Sequence, residues 1–372
     1  MGLSGAGDPR QVIELFTLAG RVSGLARLPG GHINDSYRVD AGSESYLLQR
    51  LNPHVFPDAG KVMDNVSRVT GHVAARLRAA GVSDWRRRTL ALVPARTGAD
   101  WVRDGAGAAW RLFGFITGTV VRERAASPAD ALAAGRVFGE FLRLLADYHG
   151  PPLAETIPGF HDTAARFERL EQAARKDAQR RVAGARLEIG LAMNQRQLAD
   201  VLPPLLRSGA IPSRIAHNDA KLSNVLFDEE SGEPLCVVDL DTVMPGSALY
   251  DFGDLVRSVT SPTAEDEEDL SSVGVRVPLF EALARGYLEA AGAVLPPSER
   301  NLLVFAGRLI TLEQAVRFLT DHLEGDRYYR IARPGHNLIR ARTQLRLFES
   351  LTEREGDLQE IVRVLASPQS HS

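Results

Sequence analysis

His217-Asn218-Asp219-Ala220-Lys221-Leu222-Ser223-Asn224, followed by the apolar Val225-Leu226-Phe227, is the stretch on which the reading of this chain turns. A second stretch completes it: Pro234-Leu235-Cys236-Val237-Val238-Asp239-Leu240-Asp241. The run from Leu235 to Val238 suits a buried strand that delivers Asp239 at its end, a rigid mount for a ligand. Asp241, two residues on, faces the same side if the strand persists.

These residue types suit one chemistry. Phosphoryl transfer needs a hydroxyl held in line with the γ-phosphate and neutralisation of charge at that phosphate. A carboxylate accepts the hydroxyl proton as the new bond forms, and Asp219 is the candidate. Magnesium takes oxygen ligands, some from protein and the rest from phosphate and water. Asn224 offers an amide oxygen five residues after Asp219, and Asp239 a carboxylate that bridges the ion to the phosphates. Lys221 balances charge between them. Asp219 and Lys221 are therefore expected to be catalytic, Asn224 and Asp239 to hold Mg²⁺, and ATP to be the donor. An HxD triplet alone is common by chance. An HNDxKxxNxLF pattern followed by an apolar run ending in DxD is much rarer. His217 itself is expected to pack and hydrogen-bond beneath the loop.

Away from this centre, the first third of the chain reads as strand-rich. The segments HINDSYRV and SYLLQRL suggest a hairpin, and TLALVPAR, ADWVRD and AAWRLFGFI suggest three further strands. Between them Val62, Val66, Val69, Val73 and Leu77 recur at helical spacing over 61–80. From 128 onward the pattern is mostly helical, over 128–148, 161–206, 278–292, 297–323 and 336–366, with a strand-like island at 214–246. A division into lobes 1–116 and 117–372 follows. The acidic run Glu265–Asp269 reads as a solvated helix start.

The pattern at 217–241 resembles the catalytic loop of the protein-kinase-like superfamily, with HND in place of HRD. It is most similar to the aminoglycoside phosphotransferase and choline kinase branch, in which a VVDLD-type segment replaces DFG. The resemblance implies an α+β, two-lobed protein-kinase-like fold, with a small β-rich N-lobe and a larger, mostly helical C-lobe. The literal Asp251-Phe252-Gly253 lies 27 residues after Asn224 and follows a loop, so it is read as a decoy. The resemblance implies that Asp251 starts a helix and braces the catalytic loop; helix capping is the plainer reading.

A lobe of this kind that covers ATP needs a nucleotide-covering turn, and Gly30-Gly31-His32-Ile33-Asn34-Asp35-Ser36-Tyr37 is the candidate, with backbone N–H groups that approach phosphate. The resemblance also implies a basic phosphate anchor on the third strand. That strand, YLLQRL, has no Lys, so Arg50 is the substitute, with Asp64 in the following helix as its acidic partner. Adenine would meet backbone in the connector Phe113–Gly118, here assigned to Ile116. Longer blocks, among them YLLQRLNPHVFPDAGKVMDNV and RFLTDHLEGDRYYR, resemble the N-acetylhexosamine 1-kinase group. This implies the anomeric hydroxyl of GlcNAc or GalNAc as acceptor, with Asp219, Asp241, Arg317 and Tyr328 binding the sugar. A helix-surface ion pair with Asp321 is the plainer reading of Arg317, and simple packing that of Tyr328. Aminoglycoside, choline, homoserine and methylthioribose kinases, and an inactive nucleotide-binding scaffold, are the alternatives. A choline site needs an aromatic cage, yet Trp85, Trp101 and Trp110 all lie in the first third.

Composition excludes other classes. The 372 residues suit two lobes. The net charge of -3, from 44 basic and 47 acidic residues, argues against nucleic acid or an anionic membrane as partner. The single cysteine, Cys236, excludes an intramolecular disulfide framework and a Cys-rich zinc site, and fits a cytoplasmic protein. The N-terminus reads as neither a signal peptide nor a myristoylation signal, since Ala6 stands where Ser or Thr belongs.

Overall fold

The computed structural model describes residues 7–29 and 33–367. Gly30, Gly31 and His32 of the expected nucleotide-covering turn lie outside the described residues. The chain forms two compact units: Met1–Val120 with Tyr148–Pro158 and Leu226–Met244, and Val121–Asp147 with Gly159–Val225 and Pro245–Ser372.

The first unit is built on an antiparallel sheet of β1 (Val22–Arg27), β2 (Asp35–Ala41), β3 (Glu44–Arg50), β4 (Trp101–Arg103) and β5 (Ala109–Gly114), in the order β1-β2-β3-β5-β4. The expected hairpin is β2–β3, with Tyr37 opposite Leu48 and Val39 opposite Tyr46. Gly42 closes it at a φ of 63°, which a side chain would strain. Along β3 burial alternates, so Tyr46, Leu48 and Arg50 are buried while Gln49 faces the other way. Tyr46 and Leu48 join Val39, Trp110, Leu112 and Phe16 in a core. The expected strand over TLALVPAR does not form; only isolated bridges at Leu92 and Ala95 appear. Pro94 cannot donate to a ladder, and the segment meets β5 through the Val93 N–H on the Leu112 carbonyl and the Gly114 N–H on the Ala91 carbonyl.

The helix Ala59–Ala79 buries Val62, Val66, Val69, Val73 and Leu77, the stripe expected from their spacing. Asp58 caps it by accepting the N–H groups of Gly60 and Lys61. Asn65 is also buried on this helix. Its amide donates to the carbonyls of Ala154 (2.7 Å) and Val243 (2.9 Å) and accepts from the Ala154 N–H (3.0 Å). That full set of partners fastens the 148–158 and 226–244 segments to the unit.

The second unit is helical. Pro128–Leu145, opened by a capping box of Ser127 and Asp130, crosses Val277–Ala291 at very close range. A Cβ on Gly135 would lie 2.2 Å from the Leu283 carbonyl oxygen, and one on Gly286 2.2 Å from that of Leu132. The helix Leu303–Glu324 is buried along nearly its whole length and ends at Gly325, whose φ is 98°. Its Leu312 and Leu319 pack with Phe167, Leu170, Leu345 and Phe348 of neighbouring helices.

The remaining strands are short. β6 (Thr119–Val121), β8 (Val225–Asp228) and β9 (Pro234–Val237) form a sheet in the order β6-β8-β9, and β7 (Arg214–Ala216) pairs with β10 (Met244–Gly246). β9 stops at Val237. Asp239 takes a left-handed φ of 60°, and Leu240–Thr242 form a tight turn. The strand therefore does not persist through Asp241.

Candidate active site

In the second unit, the loop after β7 is set from below. His217 is fully buried, with the rings of Phe138 and Phe141 edge-on at 5.4 and 6.0 Å. Its N–H donates to Asp251 Oδ2 (2.8 Å), and the Asn218 N–H to Asp251 Oδ1 (2.7 Å). Asp251 lies in the first turn of the helix Ala248–Val259, whose cap is Ser247. Asn218 has a φ of 62°, and its side chain closes back on the Ala216 carbonyl at 3.1 Å. Gly246 is required beside it, because a Cβ there would lie 2.4 Å from Asn218 Oδ1.

This loop brings Asp219, Lys221 and Asn224 into one cluster. Lys221 Nζ lies 2.9 Å from Asp219 Oδ2, and the Asn224 amide nitrogen donates to Asp219 O (2.8 Å) and Oδ2 (3.1 Å). Asp219 keeps about a quarter of its side chain exposed, at 27%. Burial pushes its carboxyl up, but the charge and hydrogen bond of Lys221, with His217 and Arg257, more than offset this and hold it below the ordinary carboxylate range. Asp254 stands in contrast. Burial and the charge of Asp219 push it up, although Arg257 pairs with it at 2.7 Å. Arg257 also reaches Glu265 at 2.7 Å, so part of the acidic run is not simply solvated.

A second patch of the same unit holds Arg317 and Tyr328. The Arg317 guanidinium lies over Phe160 (4.8 Å), Tyr329 (5.7 Å) and Tyr328 (6.0 Å). It makes no pair with Asp321. That carboxylate instead accepts the N–H groups of Arg327, Tyr328 and Tyr329 and the Asn337 amide, all at 2.8–2.9 Å, which fixes the Tyr328 loop. His161 connects this patch to the loop after β7. Its Nε2 meets the Asn218 carbonyl (3.0 Å) and its Nδ1 meets Glu313 Oε1 (2.9 Å), one helical turn before Arg317.

In the first unit, Arg50 is buried and pairs with Asp35, at 3.0 Å through Nε. It does not pair with Asp64, which pairs with Arg68 at 2.9 Å. Asp35 starts β2 opposite Arg50 in the ladder, so the pair is a cross-strand one. Asp241 is buried, with Arg111 Nη1 on one oxygen and Asn34 Nδ2 (2.7 Å) on the other. Asn34 Oδ1 accepts the Asn52 N–H at 3.0 Å. The Ile116 carbonyl accepts from Thr119 Oγ1 at 2.8 Å. Arg111 escaped the sequence reading. Its signal was there: a lone cation in the apolar run Ala108–Phe115, where charge is seldom buried without a partner.

The sequence pattern of the APH family, described as the phosphotransferase enzyme family, matches residues 24–299. The chain belongs to this family. Solved structures agree on the fold of this phosphotransferase. A microcompartment-associated aminopropanol kinase is 19% identical, covers 94% of this chain and 97% of its own, and superposes with a TM-score of 0.64. The amicoumacin kinase hAmiN, in complex with AMP-PNP, Ca²⁺ and Ami, is 15% identical, with coverages of 91% and 93% and a TM-score of 0.62. A Plasmodium vivax ethanolamine kinase is 13% identical, with coverages of 88% and 84% and a TM-score of 0.51. The fold of the phosphotransferase is thus the protein-kinase-like one, with a small antiparallel sheet and a larger helical part. Among the described residues no helix is long and apolar enough to cross a membrane.

Proposed function

We propose that this chain is an ATP-dependent kinase that transfers the γ-phosphoryl group to a sugar hydroxyl, the anomeric hydroxyl of GlcNAc or GalNAc, in the cytoplasm. The observation that carries the reading is the Asp219 cluster. Asp219 is an ionised, partly exposed carboxylate whose Oδ2 is held by Lys221 and Asn224. It takes the acceptor's proton as the acceptor oxygen bonds to the γ-phosphorus and the bond to the β-phosphate oxygen breaks, releasing ADP. Lys221 keeps the carboxylate charged until then.

The donor set fits a hard cation. Asn224 spends its amide nitrogen on Asp219, which leaves its carbonyl oxygen for a ligand. Among the described residues no group of three or more His, Cys, Asp or Glu side chains gathers to hold a metal, so a cation here draws its other ligands from phosphate and water. Asn224 and Asp239 would hold Mg²⁺. When bound, the ion neutralises phosphate charge. The amicoumacin kinase, named in complex with AMP-PNP and Ca²⁺, supports this pairing of nucleotide and divalent ion. Gly30, Gly31, Asn34 and Arg50, the last steadied by Asp35, are assigned to the phosphates, Ile116 to the adenine, and Asp241, Arg317 and Tyr328 to the sugar.

Substitution Asp219→Asn tests the reading. Turnover with ATP, Mg²⁺ and N-acetylhexosamine is expected to fall at least about a hundredfold while the protein stays folded. Activity within about tenfold of wild type counts against Asp219 as base.

A further inference from the structure

The peptide that leads into Asp219 is held at both of its polar atoms. Its N–H, that of Asp219, donates to His217 Nδ1 at 3.3 Å, and its carbonyl, that of Asn218, accepts from His161 Nε2 at 3.0 Å. A peptide unit is planar, so bonds on its two opposite edges fix its tilt as well as its place. His217 belongs to the loop itself. His161 comes from outside it, 57 residues earlier in the chain, at the corner that opens the helix Thr163–Lys176.

His161 is itself firmly held. Its ring stacks on Tyr250, with centroids 4.5 Å apart at 27°, and meets Phe160 edge-on at 4.9 Å. Nδ1 lies 2.9 Å from Glu313 Oε1, and Thr163 Oγ1 donates to the other Glu313 oxygen at 2.5 Å. The His161 and Glu313 side chains are 6% and 1% exposed, so water does not replace these bonds. Burial pushes the Glu313 carboxyl up, but the charge and hydrogen bond of His161, with Arg317 and Thr163, outweigh it and hold the group below the ordinary range. Glu313 is therefore an acceptor, as is the Asn218 carbonyl, and the ring donates from both nitrogens. Tyr250 directly precedes Asp251, whose carboxylate takes the Asn218 N–H, so one helix supports both holds on Asn218.

We propose that His161 is a positioning residue for phosphoryl transfer: anchored by Glu313, it fixes the Asn218 carbonyl and with it the angle at which the loop presents Asp219. The inference rests on the reading of Asp219 as the base. It adds that the aim of this base is set from the helix Leu303–Glu324 through a single ring nitrogen. Because His161 acts through Asp219, its loss falls on kcat and spares KM.

The test uses two variants that each keep one of the ring's donors. The amide nitrogen of glutamine stands as many bonds from Cα as Nε2 does, and that of asparagine as many as Nδ1. His161→Gln thus keeps a donor for Asn218, and His161→Asn one for Glu313. Turnover is measured with ATP and Mg²⁺ on N-acetylglucosamine, N-acetylgalactosamine and ethanolamine, with urea unfolding of the same preparations. His161→Asn should lower kcat about ten- to a hundredfold, with KM for both substrates within about threefold, while His161→Gln keeps kcat within about threefold. Stability should rank the other way, since His161→Gln deprives a buried carboxylate of a donor and His161→Asn only a backbone carbonyl. A merely structural residue would make activity follow stability. A cycle with Asp219→Asn gives a second readout: in that background His161→Asn should cost less than about threefold, because a base already removed cannot be misaimed. Wild-type kcat in His161→Asn, a His161→Gln as impaired as His161→Asn, or full additivity in the cycle each overturns the proposal. Should His161→Gln not fold, the cycle decides. If Asp219→Asn itself stays within about tenfold of wild type, the base reading falls and this proposal with it. If the wild type phosphorylates none of the three acceptors, the kinase reading falls and takes both.

Discussion

The Asp251 carboxylate holds Asn218 in its left-handed conformation, taking the Asn218 N–H on one oxygen at 2.7 Å and leaving the other for His217 at 2.8 Å. Asp219 comes next in the chain, so the aim of the proposed base is set from a helix 32 residues downstream (251 − 219 = 32). The literal DFG triplet is thus used as a brace beneath the loop.

Asp251→Asn replaces one accepting oxygen by an NH₂ that faces a backbone donor. The cost is a lost hydrogen bond plus an unsatisfied buried N–H, about 1–3 kcal/mol in urea unfolding. Turnover should fall more than about tenfold, because a shift of the loop by a fraction of an ångström misaligns the base. If both stability and kcat stay at wild-type values, Asp251 does not position the loop.

Lys221 makes a claim on the pH profile. The Asp219 carboxyl is held below 3.8 in the folded protein, against burial, chiefly by Lys221. For a depressed carboxylate the linked stability is present above the unfolded pKa and is lost as pH falls through the folded one. The acid limb of kcat/KM should accordingly lie below the ordinary carboxylate range. Lys221→Met removes the charge and the hydrogen bond but leaves the burial, so the limb should move toward neutral pH. A limb that stays put in Lys221→Met would show that Lys221 does not tune the base.

Local pattern carried the main elements: the stripe from Val62 to Leu77, the alternation along β3, and the clustering of Asp219, Lys221 and Asn224 all depend on neighbours within a few residues. What pattern did not carry were partners far apart in the chain. Arg50 was given an acid in the next helix, but it took Asp35, which the hairpin register places across from it. The strand expected over TLALVPAR gives way at Pro94, whose missing N–H breaks the ladder locally.

Arg111 and Asp241 lie 130 residues apart and meet at a buried ion pair in the first unit, where 2% and 1% of their side chains are exposed. The pair is well furnished. Gln49 Oε1 accepts from Arg111 Nε (3.0 Å) and Nη2 (2.9 Å), Asn34 donates to the other Asp241 oxygen, and Thr156 Oγ1 donates to the Asp241 carbonyl at 2.8 Å. Removing one member strands a charge, which costs roughly 3–5 kcal/mol, whereas replacing both by apolar groups costs far less. Asp241→Leu and Arg111→Met alone should each destabilise by about that amount in urea unfolding, and the double variant by clearly less than their sum. The cycle also separates structure from function. If Asp241 serves only as the counter-ion of Arg111, KM for the acceptor in the double variant should match wild type. If Asp241 contacts the sugar, KM should rise about tenfold or more even where stability has recovered, because a lost hydrogen bond to a substrate hydroxyl is not restored by apolar packing.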